Sequence, residues 1–243
     1  MQKLLGYIFT PLHFIVFGLA LAIFHPLQMI AFWIGGREWQ RRAVNGMLFF
    51  LTKSLYLAGI HQRFINFENI PKGRPIIIVA NHHHIHDITN INWIFRKFDL
   101  SFVSKAELGR KIPSISYNLR KSKSALIDRK DRRQSISEIL RLAKHIEDNK
   151  SVTCIFPEGT RKHQGDLLRS FKPAGTAALI KKAPSAIVIP VAISGTWKLK
   201  FPFPFGMTLT FERLKDIEPK DFENEEEVVK ECERQVHAAV IQN

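Results

Sequence analysis

The sequence predicts an α/β fold: a largely parallel mixed sheet flanked by helices, with an apolar N-terminal membrane-docking helical segment. Three observations predict it. From about residue 71 onward, short β-branched runs alternate with stretches of helical periodicity. Polar clusters follow those runs, where the carboxyl ends of parallel strands gather chemistry. Ahead of them, no charged side chain occurs between Lys3 and Arg37. The 243 residues suit a single α/β domain with an appendage, with segments at 1–60 and 61–243.

The N-terminal segment reads LLGYIFTPLHFIVFGLALAIFHPLQMIAFWIGG. As one helix it would run roughly 50 Å, more than a hydrocarbon core of about 30 Å. Pro11 and the His25-Pro26 pair offer breaks. Either Leu12 to Ile34 crosses a bilayer, or two shorter helices dip into one leaflet and return. A cleaved signal and buried core helices are the competing readings. The apolar stretch runs well past the Ala20-Leu21-Ala22 site, which argues for an anchor. Arg37, Arg41 and Arg42, beside Trp33 and Trp39, suit a cytoplasmic interface with anionic headgroups. Ala43 to Ile60 carries only Lys53 and predicts a further helix, on the sheet or along the membrane surface.

Pro75 to Ala80 (PIIIVA) predicts a buried strand. Asn81 to Asp87 (NHHHIHD) then leads into a helix over Ile88 to Phe98. Leu100 to Lys105 and Ser124 to Arg129 predict the next strands. Gln134 to Asp148 predicts a helix, with Ser135 and Glu138 resembling a capping box. Ser151 to Phe156 predicts a fourth strand, ending in Pro-Glu-Gly-Thr-Arg. Ala174 to Ala183 predicts a helix, and Ser185 to Ser194 and Met207 to Leu214 the last strands. Glu218 to Val240 predicts a solvated closing helix.

Lys plus Arg total 36 against 22 Asp plus Glu, a formal charge of +14, so an anionic partner is expected. Residues 101–150 concentrate the excess, with 13 Lys/Arg against 6 Asp/Glu. No nucleic-acid recognition signature accompanies them. Two cysteines, Cys154 and Cys232, exclude a disulfide scaffold.

His82 and Asp87 are candidates for the chemistry itself. A histidine takes a proton from a hydroxyl, and a carboxylate on its far nitrogen fixes the tautomer. Five residues on a regular helix rotate by about 140°, so the two meet only across a turn between strand and helix. A zinc pair at His84 and His86 is the competing reading of this segment. Glu158, Gly159, Thr160 and Arg161 suit an anion cradle: glycine admits close backbone approach, and Arg161 grips a phosphate through two nitrogens. Glu158 either orients a hydroxyl or holds Arg161. Arg129 is a second phosphate candidate, with Lys105 and Lys172 behind it.

Asn81-His82-x4-Asp87, Ala125 to Arg129, Phe156 to Arg161 and Ile189-Pro190-Val191, in that order and at these separations, resemble the bacterial 1-acylglycerol-3-phosphate acyltransferase family. Lys105 to Leu108 and Phe171 to Gly175 resemble it as well. The resemblance spans roughly Ile60 to Lys200 and implies an α/β acyltransferase domain over 61–243. It implies acyl transfer from acyl-CoA or acyl-carrier protein to a lysophospholipid, giving phosphatidic acid, at the cytoplasmic face of the inner membrane. His82 would be the general base and Asp87 its orienting partner. Glu158, Gly159, Thr160 and Arg161 would bind the acceptor with Arg129 and Lys105, and Ile189, Pro190 and Val191 would line the acyl pocket. No metal, no cofactor beyond the co-substrate and no nucleic acid is expected. Family members often carry Gln or Arg then Ser after the motif histidine, where this chain has His83 and His84. Another lysolipid acceptor, such as a lyso-ornithine lipid, and a non-catalytic membrane adaptor are the alternatives.

Overall fold

In the computed structural model, residues 2–161 and 168–242 are described. The chain opens with α1 (Gln2–Leu57), whose two arms, 2–34 and 37–57, form a helical hairpin. The reversal falls at Gly35 (φ −135°, ψ 23°) and Gly36 (φ 63°, ψ −150°), not at the prolines. Gly36 occupies a backbone region that a Cβ forbids, whereas Pro11 and Pro26 stand inside the first arm. The arms run antiparallel. Gln40 Nε2 donates to Gln28 Oε1 at 3.4 Å, and Ala20 packs with Val44, Met47, Leu48 and Leu51.

One stripe of the first arm, Gly6, Thr10, His13, Ala20 and Gln28, faces protein, as helical spacing of three and four residues requires. The rest exposes large apolar side chains, among them Ile8, Ile15, Leu19, Ile23 and Ile30, with Trp33 86% exposed. The segment is long and apolar enough to cross a membrane.

The remaining chain builds a seven-stranded sheet of order β1-β7-β6-β2-β5-β3-β4. The strands are β1 (His61–Ile65), β2 (Ile76–Ala80), β3 (Leu100–Lys105), β4 (Ala125–Ile127), β5 (Val152–Ile155), β6 (Ile187–Ser194) and β7 (Thr208–Arg213). All neighbouring pairs are parallel except β6 with β7. β1 is an addition to the expected strands; its half-exposed alternation is that of an edge strand on β7.

β2 is buried at every position because both faces are covered. Ile76, Ile78 and Ala80 meet one apolar core, and Ile77 and Val79 the other. Each such Ile stabilises the fold by about 1.5–3 kcal/mol. The first face is covered by α1, α2 (Ile85–Ile94) and α4 (Pro113–Lys121), the short α3 (Leu108–Lys111) leading into α4. The second is covered by α5 (Arg132–Asn149), α6 (Pro173–Lys182) and α7 (Glu225–Gln242).

Two local expectations are corrected. Ser135 and Glu138 form no capping box: α5 starts earlier, with Asp131 as its cap accepting from the Gln134 amide at 2.9 Å. Ser135 Oγ instead donates to the Asp128 carbonyl at 2.6 Å. The closing helix begins at Glu225, after a tight turn at Pro219–Asp221.

Candidate active site

Four adjacent parallel strands, β2, β5, β3 and β4, end along one side of the sheet. Their carboxyl ends carry His82, Pro157 to Arg161, Lys105 and Arg129 in turn. The polar clusters, far apart in sequence, therefore meet as a consequence of strand order. They line a cavity of about 330 Å³ with His82, Lys105, Arg129, Gly159, Thr160 and Arg161 in its wall.

The β2-to-α2 connection supplies the turn that brings His82 to Asp87. Asp87 lies in the first turn of α2 and is wholly buried. One oxygen, Oδ2, accepts from His82 Nδ1 at 2.9 Å, the His83 amide at 2.6 Å and the His84 amide at 2.8 Å. Burial pushes the Asp87 carboxyl up. The His82 hydrogen bond and charge, then the backbone amides of His84 and His83, outweigh it and hold Asp87 below the ordinary 3.8. The carboxylate fixes the proton on Nδ1 and leaves Nε2 as the acceptor. The imidazole stacks on Phe156, with ring centres 4.2 Å apart, which fixes the ring plane.

Glu158 has a backbone partner that the sequence does not suggest. It is buried, and its Oε1 accepts the His82 backbone amide at 2.9 Å. It thus pins the end of β2 to the turn after β5, behind the cavity wall rather than in it. Gly159 adopts φ +75°, a left-handed conformation open to glycine, and the turn it closes carries Arg161 to the His82 ring. Arg161 Nε donates to His82 Nε2 at 3.4 Å. Arg129, without an acidic partner among the described residues, has its pKa lowered by partial burial. Lys172 lies against the Gly159 turn.

Ile189, Pro190 and Val191 are not in the cavity wall. They form the middle of β6, paired with Ile78, Val79 and Ala80, and the side chains of Ile189 and Val191 belong to the core. A parallel strand presents ligand at its carboxyl end, and these residues precede that end. Sequence reasoning missed Ile88, Val103, Glu107, Leu108 and Lys111 in the wall. It also missed the second clamp on the β2 end: Asn81 exchanges two hydrogen bonds with the Ile193 backbone, both 2.8 Å.

The other histidines point elsewhere. His83 Nε2 meets the Asn81 amide at 3.0 Å. His84 caps α2 and stacks on His86, and His86 in turn packs on His13 of the hairpin. Among the described residues no three His, Cys, Asp or Glu side chains converge as a metal would require. Cys154 and Cys232 are free and buried.

A family model described as "Acyltransferase" matches residues 61–194, more than half of the chain. The chain is 26% identical over 167 residues to a 1-acyl-sn-glycerol-3-phosphate acyltransferase of Saccharomyces cerevisiae, covering 69% of this chain and 54% of that protein. It is 31% identical over 144 residues to the protein of the same name from Borreliella burgdorferi, covering 59% and 55%. The chain thus spans about half the length of these curated relatives. The crystal structure of the 1-acyl-sn-glycerophosphate (LPA) acyltransferase PlsC from Thermotoga maritima superposes with a TM-score of 0.80 at 28% identity, over 100% of this chain and 97% of that one. The fold, the motif order and these matches agree, and the chain belongs to the acyltransferase family.

Proposed function

We propose that this protein transfers a fatty acyl group from acyl-CoA or acyl-carrier protein to the free hydroxyl of 1-acylglycerol-3-phosphate, giving phosphatidic acid. One observation carries the reading: His82, paired with Asp87, lines the same cavity as Arg129, Arg161 and Lys105. A non-catalytic membrane adaptor needs no such pair, and a cationic wall suits a phosphate.

His82 Nε2 takes the proton of the acceptor hydroxyl as its oxygen attacks the thioester carbonyl. The buried Asp87 carboxylate stabilises the imidazolium. When the carbon–sulfur bond breaks, the imidazolium returns the proton to the leaving thiolate, so His82 ends as it began. A thioester is already activated, and no covalent enzyme intermediate is needed. Base catalysis supplies roughly 10²–10⁴-fold. Anchoring the acceptor by its phosphate supplies more, because positioned reactants reach effective molarities of about 10⁵–10⁸ M. Glu158 and Asn81 hold the base from behind through the β2 end.

The hairpin docks this chemistry on an anionic membrane surface, which we assign to the cytoplasmic face of the inner membrane. Its exposed apolar face and the adjoining Arg41 and Arg42 match such a surface. Purified protein given lysophosphatidic acid and a panel of acyl donors should form phosphatidic acid, read by lipid mass. His82→Ala should lower turnover by roughly 10²–10⁴-fold with vesicle binding intact. Faster acylation of a lyso-ornithine lipid than of lysophosphatidic acid would overturn the phosphate acceptor. In a separate flotation assay, the Trp33→Glu/Ile34→Glu variant should release the protein from anionic vesicles. Unchanged flotation would overturn hairpin docking.

A further inference from the structure

Two features of the site compete for one pair of electrons. The Nδ1 proton of His82 is committed to Asp87, so Nε2 has a single lone pair with which to receive a proton. That lone pair already accepts the Nε–H of Arg161 at 3.4 Å. An acceptor hydroxyl, or a water, that is to lose its proton to His82 must first displace the guanidinium. None of the ion pairs among the described residues involves Arg161, so no carboxylate there holds it against the ring. The turn that carries it is built on a left-handed glycine and not on a helix or strand. An anion entering the cavity offers the guanidinium a better partner than a neutral imidazole, and Arg129 and Lys105 in the same wall attract that anion.

We propose that Arg161 is a gate on the catalytic base: it occupies Nε2 until an anionic phosphate in the cavity draws it off, so that only a phosphate-bearing acceptor releases the base. The inference rests on the acyl-transfer reading and extends it. Its benefit is chemical. A thioester held beside a free imidazole and water is hydrolysed: water oxygen bonds to the carbonyl carbon, the carbon–sulfur bond breaks, and free thiol and carboxylic acid result. A base kept occupied in the absence of acceptor suppresses that wasteful route. One arginine thereby serves both acceptor binding and protection of the donor.

The test is thiol release from palmitoyl-CoA by the full-length protein, with no lipid acceptor. Wild type should be slow, and inorganic phosphate should accelerate it relative to potassium chloride at matched ionic strength. Arg161→Ala should hydrolyse roughly three- to tenfold faster than wild type without phosphate, the equivalent of one modest hydrogen bond, and should no longer respond to phosphate. His82→Ala should abolish the release in every condition. A wild-type rate indifferent to phosphate, an Arg161→Ala rate no higher than wild type, or no release above the His82→Ala background overturns the gate. Should Arg161→Ala fail to fold, the phosphate response of wild type decides alone. Transfer to lysophosphatidic acid is scored separately. Transfer without any phosphate or variant effect on hydrolysis overturns the gate and leaves the proposed activity standing. Phosphate-stimulated hydrolysis without transfer supports the gate and overturns the acceptor.

Discussion

Replacing Asp87 with asparagine separates the charge of this carboxylate from its structural bonds. Oδ2 accepts three hydrogen bonds, from His82 Nδ1 and the His83 and His84 amides, while Oδ1 has no partner among the described residues. An asparagine oxygen at the Oδ2 position keeps all three, with its NH₂ where Oδ1 was. Alanine instead strands two buried amides at about 1–3 kcal/mol each, which confuses catalysis with stability. In Asp87→Asn the imidazolium loses a charge-assisted bond, worth about 1.5–3 kcal/mol. At about 1.4 kcal/mol per tenfold, kcat should fall roughly 10- to 100-fold. If the amide turns its NH₂ to Nδ1, the tautomer inverts, Nε2 carries the proton, and the whole base contribution of about 10²–10⁴-fold is lost. Initial rates of phosphatidic acid formation at saturating substrates, with a thermal melt on the same sample, measure both effects. A variant that melts like wild type and keeps more than about a third of its kcat refutes the role given to the carboxylate, since that is less than one ordinary hydrogen bond.

Glu158→Gln weakens the tie to the His82 amide and should lower kcat several-fold while leaving the KM for the lysolipid near wild type; a rise in KM alone, in steady-state kinetics, would return Glu158 to acceptor binding. Gly159→Ala forces a side chain into φ +75° at about 1–2 kcal/mol, although its Cβ meets Lys172 only at an ordinary 3.9 Å. Calorimetry should show a Tm lower by about 2–8 °C, and an unchanged Tm would mean that the turn relaxes. Burial, then the charges of His84 and His13, hold His86 well below the ordinary 6.5. The unfolded chain therefore binds the extra proton, and stability present above pH 6.5 is lost as the pH falls, by up to about 1.4 kcal/mol per pH unit for the group. His86→Leu should flatten the urea midpoint between pH 6.5 and 5; parallel profiles for variant and wild type would exclude this histidine as a source of acid sensitivity.

The parts of the molecule legible in its sequence are those where local pattern and tertiary environment agree. Ile76 to Ala80 reads as a buried strand because both faces are covered, and the order of motifs placed His82, Asp87, Arg129 and Arg161 in one site. The hairpin reverses at a glycine pair and not at the prolines that the sequence offers as breaks. Pro11 and Pro26 stay inside a helix that protein contacts hold along one stripe, whereas the adjacent Gly35-Gly36 pair admits a conformation that other residues resist. β1 was missed because His61 to Ile65 is a half-exposed edge strand without a continuous apolar run. For Glu158 the sequence suggests orienting a hydroxyl or holding Arg161, and the resemblance implies acceptor binding; only the fold shows one of its oxygens accepting from a backbone amide 76 residues away. The resemblance implies an acyl pocket at Ile189 to Val191, whereas strand register sets them against Ile78 to Ala80, with Ile189 and Val191 in the core.

The hairpin is tied to the catalytic domain by polar contacts as well as apolar ones. Gln28 donates to the hydroxyl and carbonyl of Ser114 at 2.8 and 3.0 Å, Arg37 reaches both Asp99 and Asn118, and Thr10 accepts the Phe203 amide at 2.9 Å. These ties occur near both ends of the first arm, so it cannot swing outward without stranding buried donors. On the docking proposed above, the molecule would settle on a bilayer as one rigid float, with Nε2 at a constant height above the headgroups. A lipid would then have to rise to meet it by that same distance whatever its tails, and bilayer thickness would drop out as a variable in the rate.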